Sequence, residues 1–379
     1  MLKIERTISE TVKNRLWKGK AIVIYGPRQS GKTTLIKNLI SELNHDPVLL
    51  NGDNDTDASL FEIVTTARWN QILGNKKTVF IDEGQKIRNL GRAVKLLVDS
   101  RDDIQVFVTG SSSFKLANET EEALTGRKYE YRLFPLTYEE LSNHYGFLDE
   151  MKNLEMRLIY GSYPEVVTKQ EDAKEILKLI NDSYLYRDML QYEGIRKPQQ
   201  LEKLLKALAL QCGSQVSENE LSLLLGVSRT LVSSYLRILE QAFIIFPLTS
   251  FSTNQRNELK RSCKYYFWDN GIRNAILKDF TPIPARNDVG ILWENYLISE
   301  RLKKNMYASA DSFSYFWRTT DQMEVDYVET QPNRITAYEF KWNKDKKSRV
   351  TKAFTNRYPD AQIKTITPEN YMDFLGTDN

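Results

Sequence analysis

The chain has 379 residues, 41% hydrophobic and 27% charged, with a net charge of only +3. At roughly 100–200 residues per domain this is material for two or three domains, and so even a charge balance offers no global polycation argument for nucleic acid. Two cysteines, Cys212 and Cys263, argue against a disulfide framework and suit a reducing compartment. The two histidines, His45 and His144, have no cysteine nearby, which argues against a zinc finger. There is no 18-residue apolar stretch, and the opening "MLKIERTISE" lacks the apolar region of a signal peptide. The expected location is the cytoplasm, with no membrane partner.

Residues 1–145 alternate short apolar runs with helical patterns. The runs are "AIVIYG" (21–26), "PVLL" (47–50), "TVFID" (78–82), "IQVFVTG" (104–110) and "YRLF" (131–134). Several are continuous rather than alternating, as in strands buried on both faces of a parallel sheet. The pattern predicts an α/β domain. Residues 146–200 read as a helical lid or linker, broken by "GSYPE" (161–165).

Residues 201–280 change character. "QQLEKLLKALALQCG", "SENELSLLLG" and "SRTLVSSYLRILEQA" are three helix candidates, with Ser217 and Ser228 as N-caps. Glu220, three residues after Ser217, predicts a capping box, and Gly213 and Gly226 are placed to end the preceding helices. "FIIFPLTSF" (243–251) and "KYYFWD" (264–269) follow as strands, giving a winged helix–turn–helix. Residues 285–379 read as α+β. A helix, "GILWENYLISERLKK" (290–304), precedes the strands "SFSYFWRT" (312–319), "MEVDYVE" (323–329) and "ITAYEFKW" (335–342).

The first chemical motif is "GPRQSGKTT", with Gly26, Pro27, Arg28, Gln29, Ser30, Gly31, Lys32, Thr33 and Thr34. It fits G-x-x-x-x-G-K-[ST], follows an apolar strand and opens a helical pattern, the context a P-loop requires. The glycines let backbone N–H groups turn inward around phosphates, and the helix N-terminus adds a favourable dipole. Lys32 is expected at the terminal phosphates and the Thr33 hydroxyl on Mg²⁺. In "TVFIDEGQ", Asp82 is the expected Mg²⁺ partner and Glu83 the group that polarises the attacking water. Glu83 is not needed for binding alone, so the pair favours hydrolysis over a solvated strand-end charge. Thr109 and Ser111, in "VFVTGSSS", are candidates for contact with the γ-phosphate or water, or for a simple turn.

These residues resemble AAA+-type P-loop ATPases. More closely, the chain is similar to a large bacterial and archaeal family of AAA+-like ATPases whose C-terminal domain has no assigned function. The resemblance runs through "GPRQSGKTT", "VFIDEGQ", "VTGSSS", "LTGR" (124–127), "FPLTYEE" (134–140), "YGSYPEVV" (160–167), "GILWENYL", "EVDYV" and "YEFKW". It implies ATP rather than GTP as the nucleotide, since no N-K-x-D stands where a GTPase needs it. It also implies an arginine acting on the nucleotide, in cis or from a neighbouring subunit of a homo-oligomer. Arg127 is the first candidate, against a surface or ion-paired arginine; Arg157 is the candidate for a second sensor.

In the helix–turn–helix, Ser228, Arg229, Thr230, Ser233, Ser234 and Arg237 are the residues placed to face a groove, while Leu231, Val232, Leu236, Ile238 and Leu239 face the core. Hydroxyls and two arginines suit DNA phosphate rather than a base code. The alternative is a module used for packing or subunit contact.

The last constellation is Glu339 and Lys341 in "TAYEFKW", which share one strand face. Asp326 lies in the preceding strand and Glu294 in the helix ahead, among apolar neighbours where lone carboxylates are costly unless paired or metal-bound. Glu294, Asp326, Glu339 and Lys341 together resemble the PD-(D/E)XK nuclease pattern, which implies a second divalent-ion site with the lysine orienting water. The plain alternative is that Asp326 and Glu339 neutralise Arg318 and Lys341. The basic run Lys341, Lys344, Lys346, Lys347, Arg349 and Lys352 suits a phosphate backbone.

The expected fold is thus an AAA+-like P-loop domain, a helical and winged-helix part, and a C-terminal PD-(D/E)XK-like domain. The expected activity is hydrolysis of Mg-ATP, coupled to action on DNA. The alternatives are an ATP-gated endonuclease and an ATP-dependent switch that binds a protein partner.

Overall fold

The computed structural model of the chain describes residues 4–111, 124–182, 197–252, 263–319, 321–343 and 352–376. It divides into two compact units, residues 1–135 with 241–243, and residues 136–240 with 244–379. Four parts, bounded at 145, 200 and 280–285, are expected from the sequence, and strands of the last two share one hydrogen-bonded sheet.

In the first unit the apolar runs form a parallel sheet of β1 (Ala21–Tyr25), β2 (Val48–Asn51), β3 (Thr78–Asp82), β4 (Gln105–Gly110) and β5 (Lys128–Arg132). Its order is β2-β3-β4-β1-β5. The connecting helices are α1 (Ile8–Lys13), α2 (Lys32–Leu43), α3 (Asp55–Ser59), α4 (Thr66–Leu73) and α5 (Leu90–Ser100). Every residue of β1 and β4 is buried, which is why these strands read as unbroken apolar runs. β4 lies between β1 and β3, so the carboxyl ends of all three come together at one sheet edge. Ligands of open α/β sheets bind outside that edge. β5 begins at Lys128, earlier than "YRLF" suggests. It is an edge strand whose alternating charges, Lys128 and Glu130, pair at 2.9 Å, so a search for apolar runs passes over its start.

The second unit opens with α6 (Tyr138–Tyr145), α7 (Phe147–Lys152), α8 (Leu154–Tyr160), α9 (Pro164–Thr168), α10 (Ala173–Ile180) and α11 (Pro198–Leu210). The helix–turn–helix is α12 (Glu218–Leu225) and α13 (Arg229–Gln241). Gly226 ends α12 in the left-handed region at φ 63°. The Ser228 hydroxyl accepts the Leu231 N–H at 3.2 Å. The capping box expected at Ser217 is absent, since Ser217 makes no side-chain cap bond. A capping box does form at Thr137 and Glu140, where "FPLTYEE" starts α6. Leu231 is only half-buried, whereas Val232, Leu236, Ile238 and Leu239 are buried.

The remaining elements are β6 (Gln215–Val216), β7 (Ile245–Ser250), β8 (Cys263–Phe267), α14 (Asn270–Leu277), α15 (Val289–Tyr307), β9 (Phe313–Arg318), β10 (Glu324–Gln331), β11 (Arg334–Phe340), α16 (Lys352–Arg357), β12 (Gln362–Ile366) and α17 (Tyr371–Leu375). They build one seven-stranded sheet, β12-β11-β10-β9-β7-β8-β6. β9, β10 and β11 run antiparallel, and β12 joins parallel to β11. The register between β9 and β10 shifts between Val325 and Val328. Such an irregularity re-aims side chains, here next to Asp326.

This unit buries several charges. Arg157 and Glu150 form a two-pronged pair, both bonds 2.8 Å, with side chains 2% and 1% exposed. Arg157→Met leaves Glu150 buried and unpaired, and is expected to cost about 3–5 kcal/mol. Urea denaturation of the variant against the parent measures it; a loss below about 1 kcal/mol would mean that the pair behaves as a surface bridge.

Candidate functional site

The P-loop leaves β1 at Gly26. A Cβ there would lie 2.0 Å from the Leu133 carbonyl oxygen, because the chain after β5 closes on β1 through the Leu133 N–H to the Tyr25 carbonyl at 2.7 Å. Only glycine lets the two backbones come this close. Arg6, remote in sequence, ties the loop to the same strand end. Its guanidinium donates to the Ser30 carbonyl at 2.7 Å and to the Phe134 carbonyl at 2.6 Å. No sequence pattern marks Arg6 for this role.

Lys32 is buried, and its ammonium donates to the Pro27 carbonyl at 2.8 Å and the Gly26 carbonyl at 3.0 Å. Burial pushes its pKa down to about 8, helped by Arg28 and opposed by Glu83 and Asp82. The loop thus holds a lysine able to give up its carbonyl partners for a polyanion. The Ser30 hydroxyl is buried without a hydrogen-bond partner. The first-turn N–H groups of α2 have no intrahelical acceptors. Lysine, orphan hydroxyl and open helix end together fit a nucleotide phosphate chain.

Asp82 closes β3 and is the meeting point of the site. The Thr33 hydroxyl donates to its two oxygens at 2.9 and 3.1 Å, and the Thr109 hydroxyl donates to Oδ1. Thr33 and Asp82, the expected Mg²⁺ pair, are therefore adjacent, and their oxygen donors suit that ion. Thr109 is fully buried and turned to Asp82. Its hydroxyl thereby helps to orient the carboxylate. Ser111 contributes its backbone N–H, which donates to the Gln85 side chain at 3.2 Å. The other residues of the "GSSS" cluster, Ser112 and Ser113, lie outside the described residues.

Glu83 stands at φ 50° and ψ 41°, the left-handed region that non-glycine residues seldom adopt and that clusters at functional sites. Gln85 donates to its carboxylate at 2.5 Å. Gln85 therefore spans Glu83 and the end of β4. Sequence reasoning passed over it, although its place two residues beyond the acidic pair was a usable signal.

Arg127 is not brought to this site. Its carbonyl accepts the Ala21 N–H at 3.0 Å, level with the amino ends of β1 and β5. Five-residue strands separate that edge from the P-loop, a span of about 15 Å at ~3.3 Å per residue. Its guanidinium pairs with Asp99 at 2.6 Å. Arg157, the second-sensor candidate, is committed to its buried pair with Glu150 in the second unit.

In the second unit Asp326, Glu339, Lys341 and Glu294 do come together. The Lys341 ammonium lies 2.8 Å from Glu339 and 3.9 Å from Asp326, and Asp326 accepts the Phe340 N–H at 2.8 Å. Burial and neighbouring carboxylates raise the pKa values of Glu294 and Asp326. Among the described residues no group of three or more His, Cys, Asp or Glu side chains is arranged to hold a metal. Lys264 of β8, which the sequence did not single out, stands 3.5 Å from Glu294 and 2.5 Å from Glu324. Arg318 pairs with Glu324 rather than with Asp326 or Glu339. Of the basic run, residues 344–350 lie outside the described residues.

Comparison with known proteins agrees with the first unit's geometry. Residues 18–142, which carry the P-loop and its parallel sheet, match a family model described as an AAA domain. Residues 151–282 and 289–371 match two models described as domains of unknown function. An uncharacterized protein of Methanocaldococcus jannaschii is 25% identical over 95% of this chain and 84% of its own length. One from Haemophilus influenzae is 26% identical over 83% and 80%, and one from Mycobacterium tuberculosis 27% identical over 87% and 72%. Among solved structures, the Thermotoga maritima RuvB Holliday junction branch migration motor is 18% identical, with a TM-score of 0.33 over 64% of this chain and 89% of that one. Bacteroides Pif1 bound to ssDNA gives 16% and 0.26 over 41% and 50%. Likeness at these scores carries no inference. No helix among the described residues is long and apolar enough to cross a membrane.

The buried lysine supplies a pH test. Its folded pKa of about 8 lies below the unfolded value of 10.5, so between these values the unfolded chain binds more protons and stability rises with pH. Below about 8 the buried charge is a full penalty. The stability of the parent relative to Lys32→Met should therefore increase from about pH 7.5 to about pH 9.5 in chemical denaturation. A flat or falling difference would show that Lys32 is not desolvated.

Proposed function

We propose that the chain binds and hydrolyses Mg-ATP at the carboxyl edge of its first sheet and uses the cycle to act on DNA through its second unit. The observation that carries the ATPase reading is the convergence of Thr33 and Asp82, with Glu83 adjoining. In this reading Thr33 and Asp82 hold Mg²⁺, which supplies charge neutralisation along the phosphates. Lys32 leaves the Gly26 and Pro27 carbonyls to bind phosphate oxygens, and the N–H groups of Gly26 and of Arg28–Thr34 line the cradle. Glu83 takes the proton of the attacking water. The Gln85 hydrogen bond is the one that Glu83 must loosen to do so. Because Arg127 faces away from its own site, it serves as an arginine finger only from a neighbouring copy, which makes a homo-oligomer part of this reading.

Support for DNA comes from α12 and α13 followed by the β7–β8 hairpin, an arrangement that reads as a winged helix. Ser228, Thr230, Ser234 and Arg237 are exposed on it. Arg229 and Ser233 are held by Glu218 at 3.1 and 2.6 Å, so Arg237 is the freer cation for phosphate. A second reading is a switch that binds a protein partner. It is favoured by Leu223 and Leu224, 83% and 63% exposed on α12. The endonuclease reading rests on the gathering of Glu294, Asp326, Glu339 and Lys341, and it is the weakest, since lysines answer those carboxylates.

Glu83→Gln is expected to cut ATP turnover by about 10²–10⁴-fold while ATP affinity changes little. Steady-state phosphate release and nucleotide titration measure the two, and undiminished turnover would reject the hydrolysis assignment. For the DNA reading, the affinity for duplex DNA should fall steeply with salt, and Arg237→Ala should reduce the log–log slope by about one. A slope near zero would favour the protein-partner reading.

A further inference from the structure

The nuclease-like arrangement of the second unit implies a divalent ion, and the residues present do not fit one. Four carboxylates, Glu294, Glu324, Asp326 and Glu339, gather there, and each is already answered. Lys264 stands 2.5 Å from Glu324 and 3.5 Å from Glu294. Its side chain is 1% exposed, and its ammonium lies 5.1 Å over the Phe316 ring. The Tyr266 hydroxyl donates to Glu294 at 2.6 Å. Arg318 reaches the other oxygen of Glu324 at 3.3 Å. Lys341 serves Glu339 and Asp326.

A Mg²⁺ ion needs several oxygens at about 2.0–2.1 Å in near-octahedral array. Glu294 and Glu324 instead converge on a nitrogen that cannot leave by a side-chain rotation alone, because the lysine stem is buried in the sheet. β8 delivers that nitrogen. Its Lys264 and Tyr266 alternate with Tyr265 and Phe267, so both polar groups reach the same face. An ion entering this cluster would meet a positive charge held in a side chain only 1% exposed, where water screens it little.

We propose that Lys264 is a resident cation standing where a divalent ion would otherwise bind, so that this unit holds its carboxylates together without metal. This goes beyond the ATPase reading and does not depend on it. It makes the unit a binding or structural module rather than a metal-dependent cutter of DNA, and it names the residue whose loss would open an ion site.

The test uses the full chain carrying Asp82→Asn, so that the P-loop adds no metal site. Free Mn²⁺ is counted by electron paramagnetic resonance during titration, and melting is followed with and without Mn²⁺. The Asp82→Asn chain should bind no Mn²⁺ stoichiometrically, and its melting temperature should not move. Adding Lys264→Met should create about one Mn²⁺ site per chain and make melting Mn²⁺-dependent; adding Glu294→Gln should remove both effects. Stoichiometric Mn²⁺ binding by the Asp82→Asn chain that is lost on Asp326→Asn would overturn the proposal. So would a Lys264→Met variant that folds, by circular dichroism, yet gains no site. Should Lys264→Met and Lys264→Gln both fail to fold, the titration of the Asp82→Asn chain alone decides.

Discussion

Two hydroxyls bonded to one carboxylate hold the first unit's site together. Thr33 belongs to the helix after β1, Thr109 to the end of β4, and Asp82 to the end of β3. Their contact is possible only because β4 is inserted between β1 and β3. The strand order therefore decides the chemistry: it puts an oriented carboxylate opposite the P-loop hydroxyl. Arg6 completes the frame by tying the loop to the β5 end, and Gly26 allows the close backbone approach that the tie needs.

The second unit rests on a different constraint, the satisfaction of buried charge. Asp269 is buried and accepts the N–H groups of Ser162 and Ile272 at 2.7 and 3.2 Å. A Cβ on Gly161 would lie 2.0 Å from that carboxylate, at φ 71°. The "YGSYPEVV" motif is thus a socket for Asp269. Glu300 links the Tyr138 N–H to Lys303, and Arg301 grips Glu329 with two 2.8 Å bonds. Buried ion pairs add little stability compared with apolar packing, but breaking one is costly. The Lys264 cluster belongs to the same pattern, which is why it reads as a charge-matched core extended to the sheet surface.

The P-loop, the Asp82–Glu83 pair and four of the five parallel strands were legible because each depends on contiguous residues with strong local signatures. The C-terminal strands were legible for the same reason, and Asp326, Glu339, Lys341 and Glu294 were found to be neighbours. Reach across the sheet was not legible. Arg127 follows a loop-like "LTGR" and reads as a finger, and sheet register places it at the amino edge of its own domain with its guanidinium on Asp99. Thr109 reads as a phosphate contact, and its buried hydroxyl donates to Asp82. Ser217, with Glu220 three residues on, reads as a capping box, yet its side chain makes no cap bond.

By itself the sequence determined the P-loop, the identity of the acidic strand end and the alternation of helix and strand. These follow from backbone stereochemistry and periodicity, which act over a few residues. Only the tertiary structure decided which charge answers which. Tyr138 meets Glu300 across 162 positions, Arg6 meets Phe134 across 128, and Lys264 meets Glu324 across 60. Electrostatic pairing depends on distance in space and on desolvation, and neither is written in the order of the residues.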